Sequence, residues 1–409
     1  MSPRSSRLLA LAFAIAAASC SKRRSGEPSA KAPANEAASI EFDAALPHLE
    51  APHTTSASIA LSNLSGTIAY KTKHLSDPAV SAGLVDALMS RAQFIGSVAD
   101  LDEADALVTR ALLASPADPR AHLAKASVLG ALHQFANALF EIERGSALGA
   151  SANEVARARL PVALALGRCD EALKSVDAAD DALPLDMAVH AAVDQRSGRA
   201  GESERLFERA RTRYRDVSPF AFAWMDFERG RALERQGDSA RAGQYYAEAS
   251  QLLPTYAHAV VHLAAMASPA RALELLAGLD AACDDPDALA ARADALRRSG
   301  RPAEAAEALA AAKSRFEVLL AKHPEAFADH GAAFFLGIGN DLPRALSLAK
   351  MAAANAPSEE ALDLWLTIAS ALGRHEEACA AVARSTANKC ALGPAVAARF
   401  EVARRSCTP

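Results

Sequence analysis

Residues 237–254 read GDSARAGQYYAEASQLLP. Gly237 closes one apolar-periodic run, Ala242, Tyr246 and Ala249 share one face of the next, and Pro254 stops it. A small residue, a large one four places on and a small one three later mark a helix that crosses a neighbour closely and fills the space beside the crossing. Gly237, with no Cβ, suits the left-handed turn that ends a helix tightly.

The marks recur along the chain. DLDEADALVTRALLASP sets Ala104, Val108, Ala111 and Pro116 at the same offsets, and steps of 34 residues lead to Ala138 in QFANALFEIERGSAL and Ala172 in RCDEALKSVDAA. Further copies centre on Ser203, Ala272, Ala305, Ala345 and Ala378, which gives about nine units between roughly 85 and 390. Each unit leaves an apolar face that only the next unit covers, so the array is expected to stack as a solenoid.

A 34-residue unit of two amphipathic segments with a turn between them resembles the tetratricopeptide repeat. The copy at 223–256 carries the resemblance best, with Arg229-Gly230 and Leu233 in the first segment and Gly237-Asp238 at the turn. Ala242, Tyr246, Ala249 and Pro254 follow in the second. The resemblance implies an all-α, right-handed α-solenoid with a C-terminal capping helix, which binds a protein or peptide in a concave groove and needs no cofactor. Carried over position by position, that groove takes Trp224, Phe227, Arg231, Glu234 and Arg235 from the best copy, and Phe327, His330 and Phe334 from the copy at 326. Tryptophan and phenylalanine beside arginine is the composition of a binding hot spot. It is equally that of packing between repeats, and both readings stay open at this point.

Composition agrees with helices packed closely. The 409 residues are 51% hydrophobic and only 5% aromatic, and alanine is the commonest apolar residue. The formal charge of −5 argues against a nucleic-acid partner, which calls for a basic face.

Met1–Arg7 is short and basic, Leu8–Ala18 is an apolar run of 11 residues, and Ser19-Cys20 follows. The run is too short to span a bilayer and fits a signal-peptide core. With Ala17-Ala18-Ser19 before Cys20, the stretch resembles a bacterial lipoprotein signal, in which Cys20 becomes the lipidated N-terminus. The alternative is an ordinary secretory leader. The resemblance implies removal of 1–19, anchoring in the cell envelope through Cys20 and, from Ser21, the outer membrane over the inner. Residues 20–56 mix Ala, Pro, Ser and charge without a period and read as a flexible tether, leaving 57–409 as the repeat domain. Ile59, Leu61, Leu64, Ile68 and Leu75 predict a cap helix over 57–75, Pro161 predicts a kink or late helix start, and 394–406 predicts a closing helix. On that last helix Val396, Phe400 and Val402 or Ala403 share the apolar face.

No Walker loop, dinucleotide-binding glycine run, HExxH helix or nucleophile elbow is present, and the chain reads as a non-enzyme. His258 and His262 stand one helical turn apart, and a metal-handling or enzymatic role for them would need a third ligand. A purely architectural spacer is the other alternative. Beyond Cys20 the cysteines are Cys169, Cys283, Cys379, Cys390 and Cys407, an odd number, so at least one stays unpaired. The last three are the natural partners, and a bridge from Cys379 or Cys407 to Cys390 would pin the closing helix. Arg205, Arg209, Arg211, Arg213 and Arg215 interleave with Glu202, Glu204 and Glu208, which predicts a solvated, salt-bridged helix face.

Overall fold

The computed structural model describes residues 53–74, 78–177 and 183–407; the leader, Cys20 and the tether up to residue 52 lie outside them. Among the described residues there are twenty helices and no strand. A leading helix, α1 (Ala57–Thr72), precedes nine hairpins. The first four are α2 (Pro78–Ile95) with α3 (Ala99–Ala114), α4 (Pro119–Ala131) with α5 (Phe135–Ala147), α6 (Ala152–Ala165) with α7 (Cys169–Asp177), and α8 (Pro184–Arg196) with α9 (Ala200–Arg213). The fifth to seventh are α10 (Pro219–Arg235) with α11 (Ser239–Leu252), α12 (Ala257–Met266) with α13 (Pro269–Ala277), and α14 (Pro286–Arg298) with α15 (Pro302–Lys322). The eighth pairs α16 (Pro324–Leu336) with α17 (Leu342–Asn355), the ninth α18 (Glu359–Ala371) with α19 (His375–Ala387), and α20 (Pro394–Cys407) closes the array. Each hairpin packs on the next, which makes an α-solenoid of helical repeats.

The repeat marks do what their sizes dictate. All nine small positions, Ala104, Ala138, Ala172, Ser203, Ala242, Ala272, Ala305, Ala345 and Ala378, are buried. In seven hairpins the residue five places earlier is left-handed: Gly167, Gly198, Gly237, Gly300 and Gly373, with His133 and Asn340 in the other two. A side chain in that region costs about 1 kcal/mol, so glycine predominates. Asp238 and Asp341 then cap their second helices by accepting from the backbone N–H of Arg241 and Arg344.

Small rotations per repeat accumulate until the coil meets itself. Val98 N donates to Asp284 Oδ1 at 2.6 Å and Asp284 N to the Gly96 carbonyl at 3.0 Å. The Phe94 ring lies 5.0 Å from those of Phe220 and Tyr256. Asp102 accepts from Lys322 Nζ at 2.6 Å and pairs with His323 at 2.8 Å, while Asn355 Nδ2 donates to the His133 carbonyl at 2.9 Å. The first and second hairpins thereby touch the fifth to eighth.

Several expectations are corrected. The leading helix ends at Thr72 and buries Ala60, Leu64 and Ile68, whereas Ile59 faces solvent and Leu75 lies outside the described residues. Helix α6 does not start late. A capping box between Ser151 and Glu154 fixes its first turn, and it runs through Pro161 to Ala165. On α20, Phe400 is buried and Ala403 joins it, while Val402 points outward. Cys379 is bonded to Cys407, which does pin the closing helix. Cys390 is bonded not to either of these but to Cys169, 221 residues earlier, because the coil carries residues 388–393 back across the third hairpin. Cys283 is unpaired, and burial pushes its thiol up to about 12.

Candidate interaction surface on the inner wall

The residues assigned to the groove lie on α10 and α16, the first helices of the fifth and eighth hairpins. Trp224 and Phe227 are 0% exposed within the main hydrophobic cluster, and Phe327 and Phe334 are buried in two others. Arg231 and Arg235 retain 10% and 11% side-chain exposure, His330 is buried and Glu234 is partly covered. The expectation of an open groove lined by these side chains is therefore corrected. The chain itself fills the space a partner would enter.

What fills it is acidic. Arg196 at the end of α8 and Arg231 on α10 converge on Glu360 in the first turn of α18, at 3.6 and 3.5 Å, and Arg231 stands 3.6 Å from Glu228. Arg235 donates through Nε to Glu359 at 2.7 Å, and through its other nitrogens to Gln195 Oε1 at 2.6 Å and to the carbonyl of Ala391. Burial raises the Glu360 carboxyl, but Arg196, Arg231 and Arg235 outweigh it and hold the group below the usual range. Burial pushes Glu228 up and the Arg196 guanidinium down. The result is a charged network of three arginines and three carboxylates, drawn from hairpins four, five and nine and largely removed from water.

Beside it, Glu234 accepts from the Tyr246 hydroxyl at 2.6 Å and lies 3.1 Å from His262 Nδ1, whose ring is 5.4 Å from Phe227. His258 is partly exposed, yet desolvation and the neighbouring His330 lower it to about 3. His330 Nδ1 donates to Asp287 at 2.5 Å. Burial opposes its charge, but Asp287, Asp329 and Asp285 prevail and raise it to about 10. Among the described residues no three His, Cys, Asp or Glu side chains are grouped so as to hold a metal ion, and His258 and His262 gain no third donor.

The arginine series behaves unevenly. Arg205 pairs with Glu202 on the surface, but Arg211 reaches inward to a buried contact with Asp226 and lies 4.7 Å above the Phe222 ring. Glu204 and Glu208 both engage Arg229. A solvated face is thus wrong for Arg211. Sequence reasoning also missed Arg196, Glu359 and Glu360. Ser358-Glu359-Glu360 reads as a cap and acidic first turn, and that local role hides the long-range one.

No protein-family model matches the chain, and no curated protein matches it. Among solved structures it is similar to yeast Tom70, at 15% identity over 85% of this chain and 93% of that one, with a TM-score of 0.31. A monomeric IFIT1 mutant with m7Gppp-AAAA aligns at 14% identity over 85% and 76%, with a TM-score of 0.32. The TPR domain of P58(IPK) aligns at 14% identity over 78% and 97%, with a TM-score of 0.21.

Proposed function

We propose that this chain is an exported, lipid-tethered scaffold that binds a protein or peptide partner on the inner wall of its coil. The observation that carries the reading is the paired charge on that wall. Arg196, Arg231 and Arg235 face Glu359 and Glu360 where a purely structural seam is served as well by apolar side chains. A partner that displaces the acidic pair exchanges one set of ion pairs for another, and the arginines need little further desolvation.

Export is supported by the leader, with its lipoprotein-like Ala17-Ala18-Ser19-Cys20, and by two disulfides, which persist in oxidising compartments. Among the described residues no helix is long and apolar enough to cross a membrane, so Cys20 is the anchor in this reading, with the outer membrane of a bacterial envelope as its site.

The test compares wild type with Arg231→Gln/Glu360→Gln, which removes one positive and one negative charge together and leaves the net charge of the network unchanged. Proteins retained by the wild type from solubilised native membranes, and lost by a variant of unchanged melting temperature, support the inner wall. Identical capture by both removes it.

A further inference from the structure

Residues 388–393, between α19 and α20, form no helix and make most of their hydrogen bonds to distant parts of the coil. Lys389 N donates to the Gly167 carbonyl at 3.0 Å and Ala391 N to the Arg196 carbonyl at 2.8 Å. Gly393 N donates to Glu359 at 2.8 Å, Asn388 Nδ2 bonds the Pro357 carbonyl, and Arg235 donates to the Ala391 carbonyl. The turns beneath the segment are cleared for it. A Cβ on Gly167 would stand 2.5 Å from Asn388 Oδ1, and one on Gly198 would stand 3.1 Å from the Ala391 methyl. Hairpins three, four and five are thus laced to hairpin nine across the arginine–glutamate network, with one covalent link in the lacing, Cys169–Cys390.

We infer that residues 388–393 are a strap that keeps the inner wall shut, and that reduction of Cys169–Cys390 releases it. In function the inference rests on the binding reading above; as mechanics it does not. Cys169 is buried and Cys390 partly exposed, so Cys390 Sγ is the sulfur open to attack. A dithiol reductant supplies the electrons. Its thiolate bonds to Cys390 Sγ and the S–S bond breaks, with Cys169 leaving as a thiolate that takes a proton. The reductant's second sulfur then displaces Cys390, which leaves as a thiol, and the reductant ends as a disulfide. With the covalent link gone, the strap is held by the few hydrogen bonds above, Arg235 loses its bond to Ala391 once the strap lifts, and Glu359 loses its bond to Gly393.

The experiment uses the full chain and an arginine-selective dicarbonyl, with modification rates read site by site by mass spectrometry. In Cys169→Ser/Cys390→Ser, and in wild type treated with dithiothreitol, Arg196, Arg231 and Arg235 are expected to react about tenfold faster than in oxidised wild type. In Cys379→Ser/Cys407→Ser their rates stay at the wild-type value. Equal rates in the locked and unlocked proteins overturn the inference. So does an acceleration that includes Arg344 on the eighth hairpin, which reports general unfolding. Failure of the binding reading looks different: the three arginines accelerate on reduction, yet the opened wall retains no membrane protein.

Discussion

A methyl group on Gly230 would lie 2.6 Å from Cε1 of Tyr246 and 3.2 Å from the carbonyl oxygen of Ala242, so the two helices of the fifth hairpin meet with the Tyr246 ring against the α10 backbone. Gly230→Ala forces them apart and is expected to cost about 1–3 kcal/mol in denaturant unfolding. Gly66 in the exposed part of α1 has nothing within 4 Å. Alanine there should stabilise, by up to about 1 kcal/mol. The opposite signs at two helical glycines check the close crossing directly.

The buried pair of Arg211 and Asp226 offers a second check. Asp226→Ala takes the nearest carboxylate from a guanidinium with 10% exposure, leaving Glu248 3.6 Å away, and is expected to cost about 3 kcal/mol. Replacing both, as Arg211→Met/Asp226→Leu, removes that guanidinium as well and should recover part of the loss, with the lost 3.6 Å contact to Glu248 setting the remainder. Equal losses in the two proteins would show that packing, not stranded charge, governs the site.

Two neighbouring histidines are shifted in opposite directions and make opposite contributions to the pH dependence of stability. His330, raised to about 10, adds stability that is complete below its unfolded value of 6.5 and disappears as pH climbs through 10. His258, lowered to about 3, must charge on unfolding, so stability falls as pH drops from 6.5 toward 3. Each limb has a limiting slope of about 1.4 kcal/mol per pH unit. His330→Gln should flatten the alkaline limb of the melting curve and shorten the acid limb, because the charge on His330 is, after desolvation, the next cause that lowers His258.

Cys379–Cys407 closes a separation of 28 residues and holds α20 over the ninth hairpin. Cys379→Ser/Cys407→Ser is expected to lower stability by about 3 kcal/mol. Release of α20 bares Phe400, now 1% exposed, and increased binding of a hydrophobic dye reads that step.

The repeat was legible because its cause is local. Ala104, Ala138 and Ala172 each sit at a helix crossing inside one hairpin, and the size that crossing demands is written at a fixed offset. The cap on α6 was legible in the same way, in Ser151 and Glu154, but Pro161 drew attention away from it. Closure was not legible. It arises from rotations summed over six or seven hairpins, and no single residue encodes their sum. Asp102 looks like one more first-turn acid until Lys322 and His323 arrive beside it. The same distance effect hid the bond between Cys390 and Cys169 and the contacts of Arg231 and Arg235 with Glu360 and Glu359, whereas Phe227 is packed against Tyr246, Tyr256 and His262 of its own and the next hairpin.

The closed coil is most directly tested by zero-length carbodiimide coupling of the purified monomer, which joins an ammonium to a carboxylate only when the two touch. Lys322 and Asp102, 220 residues apart, should be recovered as a cross-linked peptide pair, alongside Lys125 with Asp105 between the first and second hairpins, which have the same 2.6 Å contact. Recovery of the Lys125 product without the Lys322 product would contradict the account, since the solenoid would then be an open rod whose inner wall is free.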